Sequence, residues 1–309
     1  MTEEQRSGFI NIIGRPNVGK SSLLNTLLGK KMAIVTNKAQ TTRHRLLAIY
    51  NKDNVQLIFS DTPGIIKPAY GLQKRMMGFV KEAMQDADVL LIMTDITESP
   101  EILNEYTPFK KCLKIIKENK IPVILLINKI DLINDETKLE TLFNAWKTVF
   151  SGLRPKDNEV KILPVSALHK GNTTPLLNEL ISLLPKGPEY FPKDMESDKL
   201  ETFFISETIR EKIFIHYDKE IPYSCEVVVP YLVEEKDIYK IDAEIVVSKK
   251  SHQPIIVGKK GAGVKRIGTL ARKDLEELFG KKVFLQLKVK TRENWKDRSI
   301  FLNQYGYRK

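Results

Sequence analysis

Cysteine is nearly absent from this sequence, because only Cys112 and Cys225 occur among its 309 residues. Two cysteines cannot form a disulfide framework or a cysteine-based metal cluster. We expect each of them to be a small buried apolar residue in a reducing compartment. The four histidines are scattered through the chain without the spacing of metal ligands. The sequence therefore argues against a small fold held together by disulfides or zinc.

Long apolar runs are missing as well. The longest, residues 89–93 and 123–127, are far too short to span a bilayer, and the polar first residues have no signal-peptide character. The composition, 42% hydrophobic and 29% charged, is ordinary for a globular protein and contains no low-complexity tract. The length of 309 residues is sufficient for two domains, each with its own core.

The net charge of +11 is unevenly distributed. Residues 249–309 contain 17 lysines and arginines against five acidic residues, a net charge of +12. The preceding stretch, residues 186–248, contains eight lysines and arginines against 15 acidic residues, a net charge of −7. The first 185 residues have a net charge of +6. A basic C-terminal third beside an acidic neighbour indicates a polyanion-binding site rather than general solubilisation.

A phosphate-binding loop is the clearest motif in the chain. Residues 14–21, Gly-Arg-Pro-Asn-Val-Gly-Lys-Ser, match the pattern G-x-x-x-x-G-K-[ST], with a strand-like apolar run before them and helical spacing after them. Backbone N–H groups of such a loop hold phosphate oxygens, while Lys20 would contact the β- and γ-phosphates and the Ser21 hydroxyl can bind Mg²⁺. A glycine-rich turn that matches by chance is the alternative, which the flanking strand and helix disfavour.

Two further motifs follow strand-like runs. The segment 61–64, Asp-Thr-Pro-Gly, has the D-x-x-G arrangement, whose aspartate reaches Mg²⁺ and whose glycine N–H senses a γ-phosphate. The segment 128–131, Asn-Lys-Ile-Asp, follows a buried strand, where open α/β sheets bind ligands. The Asp131 carboxylate can accept two hydrogen bonds from guanine, which adenine cannot donate. Ser166 and Ala167 follow the last strand-like run, where backbone N–H groups could contact the guanine oxygen.

The second half of the chain has a different pattern. After a proline-rich stretch at 185–199, the periodicity predicts the order helix, strand, strand, helix, helix, strand. The sequence Gly258-Lys259-Lys260-Gly261 lies between the two central helices and fits the G-x-x-G loop of KH domains, which holds about four nucleotides of single-stranded RNA. Lys265 and Arg266 add charge just after it. An ordinary turn on an α+β domain is the alternative.

These motifs together resemble a known family. The segments 14–21, 41–42, 61–64, 128–131 and 166–167 have the order and spacing of the five G motifs of translation-factor-class GTPases. Residues 38–45, Lys-Ala-Gln-Thr-Thr-Arg-His-Arg, resemble the switch loop of the bacterial Era family, and residues 256–280 resemble that family's C-terminal domain. The resemblance covers nearly the whole chain.

The resemblance implies a fold and a domain organisation. We expect an α/β P-loop GTPase domain with a Ras-like, mostly parallel sheet at residues 1–184, followed by a linker at 185–199. A smaller α+β type II KH domain with a basic C-terminal tail would occupy residues 200–309. Trp295, Tyr305 and Tyr307 lie among basic residues of that tail, where they could stack on bases or serve as packing residues.

The resemblance also implies site residues. A switch-loop threonine would complete the Mg²⁺ shell, with Thr42 favoured over Thr41. The residues expected to bind GTP are Gly14, Arg15, Pro16, Asn17, Val18, Gly19, Lys20, Ser21, Ser22, Asp61, Thr62, Pro63, Gly64, Ile65, Asn128, Lys129, Asp131, Ser166 and Ala167. Among the residues of this site, those expected to act in catalysis are Lys20, Thr42 and Gly64, and those expected to bind Mg²⁺ are Ser21, Thr42 and Asp61. The residues expected to bind RNA are Gly258, Lys259, Lys260, Gly261, Lys265 and Arg266.

One position departs from the Ras-like pattern. Ile65 stands where Ras-like proteins have a water-orienting glutamine, a departure that Era-like GTPases share. An apolar side chain cannot hold the attacking water. We therefore expect slow intrinsic GTP hydrolysis, or hydrolysis that depends on another group.

The expected function is that of a Mg²⁺-dependent GTPase that binds GTP and GDP. By resemblance, it would bind single-stranded RNA at the 3′ region of 16S ribosomal RNA and assist assembly of the small (30S) ribosomal subunit. We expect a cytoplasmic monomer, with peripheral membrane association as an open question. GTP and RNA binding should be positively linked, with the −7 stretch covering the RNA surface in the GDP state.

Two other classes of function are weaker. A signalling or membrane-associated regulatory GTPase with a protein-binding second domain would predict a lipidation motif, and residues 305–309 contain no cysteine. A passive RNA-binding module with an inactive nucleotide domain conflicts with the presence of Lys20, Ser21, Asp61 and Asp131.

Overall fold

The computed structural model describes residues 4–118, 120–152 and 159–308, the side chains of Ile102 and Asn104 aside. The chain divides into two compact units. The first unit consists of Met1–Ala33, Thr42–Pro68 and Met76–Asp198, and the second consists of Ile34–Thr41, Ala69–Arg75 and Lys199–Lys309. The boundary between the units therefore crosses the predicted switch loop between Thr41 and Thr42.

The N-terminal part of the chain alternates strands and helices as the sequence predicts. Its elements are β1 (Arg6–Gly14), α1 (Lys20–Leu28), β2 (Leu46–Lys52), β3 (Val55–Asp61), α2 (Gly71–Gln85), β4 (Val89–Asp95), α3 (Pro100–Glu105), α4 (Thr107–Glu118), β5 (Val123–Asn128), α5 (Glu136–Phe150), β6 (Lys161–Pro164) and α6 (Thr173–Leu183).

Six of these strands form one sheet in the order β2-β3-β1-β4-β5-β6. Strands β1, β3, β4, β5 and β6 are parallel, and β2 pairs antiparallel with β3 in a hairpin. The central strands are apolar and buried on both faces, as parallel strands covered by helices must be. The parallel arrangement brings the carboxyl ends of β1, β3, β4 and β5 to one edge, where the predicted GTP motifs begin.

A large apolar cluster anchors the helices on one face of this sheet. Trp146 of α5 is completely buried between Phe109 of α4 and Phe150 of α5, at ring-centroid distances of 6.3 and 6.2 Å. Ile13 and Ile92 of the sheet belong to the same cluster. This burial fixes the strands whose ends carry the site.

The segment predicted as a linker, 185–199, is hydrogen-bonded to the first unit. The Gln56 side chain donates to the Phe191 carbonyl over 2.8 Å, and the Asp198 carboxylate accepts from the Leu47 N–H over 2.9 Å. An isolated bridge also joins Ala48 to Ser197. Because its polar groups are paired in this way, the segment is an ordered part of the first unit up to Asp198.

The second unit shows the predicted order helix, strand, strand, helix, helix, strand, with two short helices added among the described residues, α8 before the first strand and α11 after the last. Its elements are α7 (Glu201–His216), α8 (Ile221–Ser224), β7 (Cys225–Glu234), β8 (Ile238–Val247), α9 (His252–Val257), α10 (Ala262–Phe279), β9 (Lys282–Thr291) and α11 (Ser299–Gln304).

A three-stranded sheet in the order β7-β8-β9 supports these helices. Strands β7 and β8 are antiparallel, whereas β8 and β9 are parallel. Ile209 of α7, Ile241 of β8 and Leu275 of α10 are completely buried in the core between the sheet and the helices. The predicted α+β arrangement is thereby confirmed.

The residues after β9 fold back onto the second unit. Trp295 and Tyr307 are completely buried. The Trp295 indole donates to the Ser224 carbonyl over 2.9 Å, and the Tyr307 hydroxyl donates to Glu226 over 2.6 Å. Of the two interpretations of these aromatic residues, the structure supports packing rather than base stacking.

Within the described ranges, no helix has both the length and the apolar character needed to cross a bilayer.

Candidate nucleotide site and nucleic-acid interface

The phosphate loop connects β1 to α1 and packs tightly. Gly19 has a φ of 103°, and a Cβ atom there would lie 2.3 Å from the Asn128 side-chain nitrogen. Only glycine fits this position, because the conformation is left-handed and the space is filled. Asn17 is also left-handed, with a φ of 67°. The loop thus takes a curled form that presents backbone N–H groups to an anion at the start of α1.

Lys20 lies at the start of α1 and is buried. Its Nζ donates to the carbonyl of Gly14 over 3.1 Å and to that of Arg15 over 2.9 Å. Burial lowers the pKa of Lys20 to about 8, against the opposing effects of Asp61 and Glu98. A phosphate group would replace the carbonyl oxygens as the partner of this ammonium and would favour its charged form.

Ser21, Thr42 and Asp61 converge at one point, although they come from three separate motifs. The Ser21 hydroxyl donates to Asp61 Oδ2 over 2.6 Å and lies 3.0 Å from Thr42 Oγ1. Asp61 Oδ1 is buried and has no hydrogen-bond partner among the described residues. Burial raises the pKa of Asp61 above its usual value, and this effect outweighs those of the Ser21 hydroxyl and Lys20, which lower the pKa. Three hard oxygen ligands with an unpaired carboxylate oxygen fit Mg²⁺.

The structure bears on the choice between the two switch-loop threonines. Thr41 Oγ1 donates to the Lys38 carbonyl over 2.7 Å, and the Thr41 backbone carbonyl accepts from the buried guanidinium of Arg210. Thr41 is therefore held within the second unit. Only Thr42 contacts Ser21 and Asp61, which favours Thr42 as the metal ligand.

The Asp-Thr-Pro-Gly segment leaves β3 beside the phosphate loop. The Thr62 hydroxyl donates to the Ile12 carbonyl over 2.6 Å, and a Cβ atom at Gly64 would lie 2.6 Å from the Pro16 backbone nitrogen. The Ile65 N–H donates to the Gly14 carbonyl over 2.9 Å. The Ile65 side chain is only 2% exposed and lies in the apolar cluster, so it does not face a reacting water.

Asn128 holds the base motif to the phosphate loop. Its Nδ2 donates to the Val18 carbonyl over 2.7 Å, and its Oδ1 accepts from the Ala167 N–H over 2.9 Å. The Asp131 carboxylate accepts from the Ser166 hydroxyl, and His169 lies 3.7 Å from its other oxygen. The Asn128 side chain thus connects the phosphate loop, the Asn-Lys-Ile-Asp motif and the Ser166–Ala167 motif. Ser166 orients the Asp131 carboxylate.

Two acidic residues near this edge were missed in the sequence. Asp95, at the end of β4, pairs with Lys129, while Glu98 accepts from the Thr94 hydroxyl over 2.6 Å and lies 3.2 Å from Arg15. Burial opposes ionisation of Asp95, but hydrogen bonds from Lys129 and Thr97 keep its pKa below the usual range. Burial raises the pKa of Glu98. The position of Asp95 at the carboxyl end of a parallel strand was the available signal.

The G-x-x-G loop joins α9 to α10 in the second unit. Gly258 has a φ of 71°, and a Cβ atom there would lie 2.7 Å from the Gly263 backbone nitrogen. Lys259 and Lys260 are exposed. The loop therefore presents two cations on a backbone that only glycine can form at Gly258.

A cleft lies between α10 and β9, and its lining begins at Val264, three residues after Gly261. Its volume is about 300 Å³, and its apolar lining includes Val264, Leu287 and the exposed Phe284. Lys265 and Arg272 provide charge at the same cleft. The predicted RNA residue Arg266 lines a different groove, between α10 and α7. Lys265 lines this groove as well as the cleft. Adjacent residues of a helix point about 100° apart, so Arg266 faces the groove against α7 while Lys265 lies between the two spaces.

Two family descriptions match the chain. Residues 9–129 match the family described as 50S ribosome-binding GTPase, and residues 220–296 match the KH domain. The first range includes the phosphate loop and ends within the base motif. The second includes the G-x-x-G loop and the cleft.

Proteins of similar sequence extend over nearly the whole chain. GTPase Era of Syntrophus aciditrophicus is 43% identical over 306 residues, which cover 98% of this chain and 95% of that protein. GTPase Era of Alkaliphilus metalliredigens is 39% identical over 304 residues, covering 98% and 99%.

Two solved structures are also similar. One is Era in complex with MgGDPNP and nucleotides 1506–1542 of 16S ribosomal RNA, with a TM-score of 0.89, 35% identity, and coverage of 98% of this chain and 99% of that one. The other is a variant of Aquifex aeolicus Era bound to GDP·AlF₄⁻, with a TM-score of 0.90 and the same identity and coverage.

Proposed function

The chain belongs to the Era family of GTPases, and we propose that it couples GTP hydrolysis to binding of the 3′ region of 16S ribosomal RNA during assembly of the small ribosomal subunit. The observation that carries this proposal is the presence on one chain of a convergent guanine-nucleotide site and a KH cleft with its G-x-x-G loop. Each is formed by residues of its own compact unit.

The first unit holds the phosphates, the metal ion and the base of the nucleotide with separate sets of residues. The N–H groups of the phosphate loop and the Lys20 ammonium bind the β- and γ-phosphates. Ser21, Thr42 and Asp61 would hold Mg²⁺, which neutralises phosphate charge when bound. The Asp131 carboxylate, oriented by Ser166, accepts hydrogen bonds from the guanine edge. Gly64 offers its N–H to the γ-phosphate.

The attacking water lacks a glutamine partner in this chain. Ile65 packs into the apolar cluster, so its side chain leaves the water without a hydrogen-bond acceptor. Intrinsic turnover is therefore slow, and it rises when the RNA or the 30S subunit brings the site into its reactive form. The chemistry otherwise rests on positioning and charge neutralisation, which dominate phosphoryl transfer.

The second unit binds single-stranded RNA. The loop from Gly258 to Gly261 allows close approach of the phosphates, and Lys259 and Lys260 neutralise them. Val264, Leu287 and Phe284 offer an apolar surface for about four bases. The G-x-x-G loop therefore contacts the RNA backbone, and the bases pack in the cleft.

We also propose that the protein acts as a cytoplasmic monomer. Peripheral membrane association is the remaining alternative location. Flotation of the purified chain with phosphatidylglycerol vesicles separates the two locations, because only a peripheral protein floats with the lipid.

Ultraviolet crosslinking of the full chain in cells, followed by sequencing of the bound RNA, tests the proposed function. We expect crosslinks to concentrate near the 3′ end of 16S ribosomal RNA. Purified chain should hydrolyse GTP with multiple turnovers, and Lys20→Ala should abolish this activity. Crosslinks spread evenly over cellular RNA, with no preference for the 16S 3′ region, contradict the proposal.

A further inference from the structure

A second groove lies on the face of α10 next to the one that lines the RNA cleft, and Lys265 and Thr269 line both. It runs between α7 and α10, and its volume of about 610 Å³ is roughly twice that of the RNA cleft. Ala262, Lys265, Arg266 and Thr269 line it from α10, at positions i, i+3, i+4 and i+7 of one helical face. Both helices belong to the second unit, so this groove is a property of that unit alone.

The floor of the groove is apolar. Ile215 of α7 is 52% exposed there, although the residues just before it, Ile213 and Phe214, are completely buried. Leu270 and Ala262 of α10 line the same surface. An exposed isoleucine beside a leucine in a concave surface is a suitable receptor for an aliphatic side chain of a partner.

Positive charge borders this apolar floor. Lys265 and Arg266 are exposed, and neither makes an ion pair within the described part of the chain. Lys212, by contrast, is neutralised by Glu211 and Asp274 at one end of the groove. Burial and the cations Arg266, Lys212 and Lys38 lower the pKa of His216, so this histidine is neutral at pH 7. The groove therefore offers two free cations beside apolar side chains.

The lining distinguishes this groove from the RNA cleft. The cleft between α10 and β9 is lined by Phe284 and Gly268, whereas the described lining of the second groove contains no phenylalanine, tyrosine, tryptophan or glycine. Base stacking on aromatic rings and close approach of backbone are the features that single-stranded RNA requires. An amphipathic helix with aliphatic anchors requires an apolar groove instead.

We propose that the groove between α7 and α10 docks an acidic amphipathic helix of a partner protein. Its aliphatic side chains pack on Ile215 and Leu270, and its carboxylates pair with Lys265 and Arg266. RNA in the cleft and this partner in the groove then lie on adjacent faces of α10, with Lys265 and Thr269 at the border between them.

A synthetic peptide of 16 residues tests the proposal, with leucine at helical spacing of three and four and glutamate at the flanking positions. The probe is labelled with fluorescein, and a twin peptide has lysine at every glutamate position. Binding to the full chain is measured by fluorescence anisotropy at about 100 mM salt, where exposed charges are largely screened beyond about 10 Å. Variants Arg266→Glu and Ile215→Ser alter the groove, and Arg272→Glu is the matched control in the RNA cleft.

We expect the glutamate peptide to bind and the lysine twin to bind at least about tenfold more weakly. Arg266→Glu should weaken binding by about tenfold and Ile215→Ser by about threefold or more, since each removes one half of the site. Arg272→Glu should leave peptide affinity within about twofold, because Arg272 lines the RNA cleft and not the second groove.

Three results would overturn the proposal. The first is equal affinity for the two peptides, or binding to neither. The second is equal loss of peptide binding in Arg272→Glu and Arg266→Glu, which would indicate general charge attraction. The third is a loss of affinity for a single-stranded 16S 3′ oligonucleotide in Ile215→Ser as large as that in Arg272→Glu, since the groove would then be an RNA surface.

Discussion

Asn128 and Val18, which are 110 residues apart in sequence, are joined by a 2.7 Å hydrogen bond from the Asn128 side chain to the Val18 carbonyl. The same side chain accepts the Ala167 N–H over 2.9 Å. Asn128 is buried, so these bonds are shielded from water and rigid. The base-binding and phosphate-binding loops are therefore held at a fixed separation, as a nucleotide that spans both requires.

Asp131→Asn should change the base preference. In the proposed site the Asp131 carboxylate would accept two hydrogen bonds from guanine, and an amide could instead match the additional carbonyl of xanthine. We expect GTP affinity to fall by roughly 100-fold, since a hydrogen bond to a charged group contributes about 1.5–3 kcal/mol. XTP affinity should rise. Direct titration with GTP, XTP and ATP measures the change; wild-type protein that binds ATP as tightly as GTP would refute the guanine assignment.

Thr42→Val should raise the Mg²⁺ concentration needed for half-maximal GTP hydrolysis, because it removes one of three converging oxygens. Thr41→Val is the matched control, since the Thr41 hydroxyl bonds to the Lys38 carbonyl instead. We expect that control to lose about 1 kcal/mol of stability and to keep the wild-type Mg²⁺ midpoint. A Mg²⁺ titration of initial rates, beside thermal unfolding, separates the two. A midpoint shift in Thr41→Val alone would reverse the assignment.

Ile65→Gln should not create a Ras-like water contact. The Ile65 side chain is 2% exposed within the apolar cluster, so a glutamine there would bury an unpaired amide at a cost of about 1–3 kcal/mol. We expect a lower free energy of unfolding and no gain in turnover. Ile65→Leu, which conserves volume, serves as the control for packing. A tenfold faster turnover in Ile65→Gln would show that this position limits the rate.

Lys259→Asp with Lys260→Asp should weaken RNA binding and leave GTP binding intact. Both side chains are exposed, and aspartate tolerates the left-handed conformation of Lys260, whose φ is 50°. Substitution of Gly258 is less informative, since any side chain there would strain the loop. We expect RNA affinity to fall by about 10- to 100-fold with a shallower salt dependence. The control with the same net charge, Lys236→Asp with Lys273→Asp, should bind RNA within a few-fold of wild type.

GTP and RNA binding should be positively linked. Linkage is reciprocal, so a GTP analogue that tightens RNA binding must itself bind more tightly when RNA is present, by the same factor. A coupling of about 1–3 kcal/mol would give roughly a 5- to 150-fold change. RNA affinity is measured at fixed salt with GDP, with a non-hydrolysable GTP analogue and with no nucleotide. Three equal affinities would mean that the two units are merely tethered.

The convergence of the GTP motifs was predictable because the sheet dictates it. Asp61 and Asn128 each end a buried apolar strand, and parallel strands place such ends at one edge. The side-chain partners at this edge were not predictable. The pairing of Lys129 with Asp95 depends on the neighbouring positions of β4 and β5, which no local pattern in the sequence specifies.

In the second unit, too, the sequence predicts the order of the elements but not the contacts of individual side chains. Its element order follows from periodicity, but the side of α10 on which each cation lies does not. Lys265 lines both grooves, whereas Arg266 lines only the one against α7. The roles of Trp295 and Tyr307 depended on whether the chain after β9 turns back, and their burial shows that it does.

The two cysteines lie in separate hydrophobic cores, Cys112 in the first unit and Cys225 in the second. Burial raises the pKa of Cys112 to about 12, so its thiol stays protonated and unreactive at neutral pH. Each sulfur becomes available to a thiol reagent only when its own core opens. In the Cys225→Ala protein, the labelling rate of Cys112 therefore measures the opening of the first unit's core, and in the Cys112→Ala protein the labelling rate of Cys225 measures that of the second. A nucleotide that stabilises only the first unit would slow the labelling of Cys112 and leave that of Cys225 unchanged.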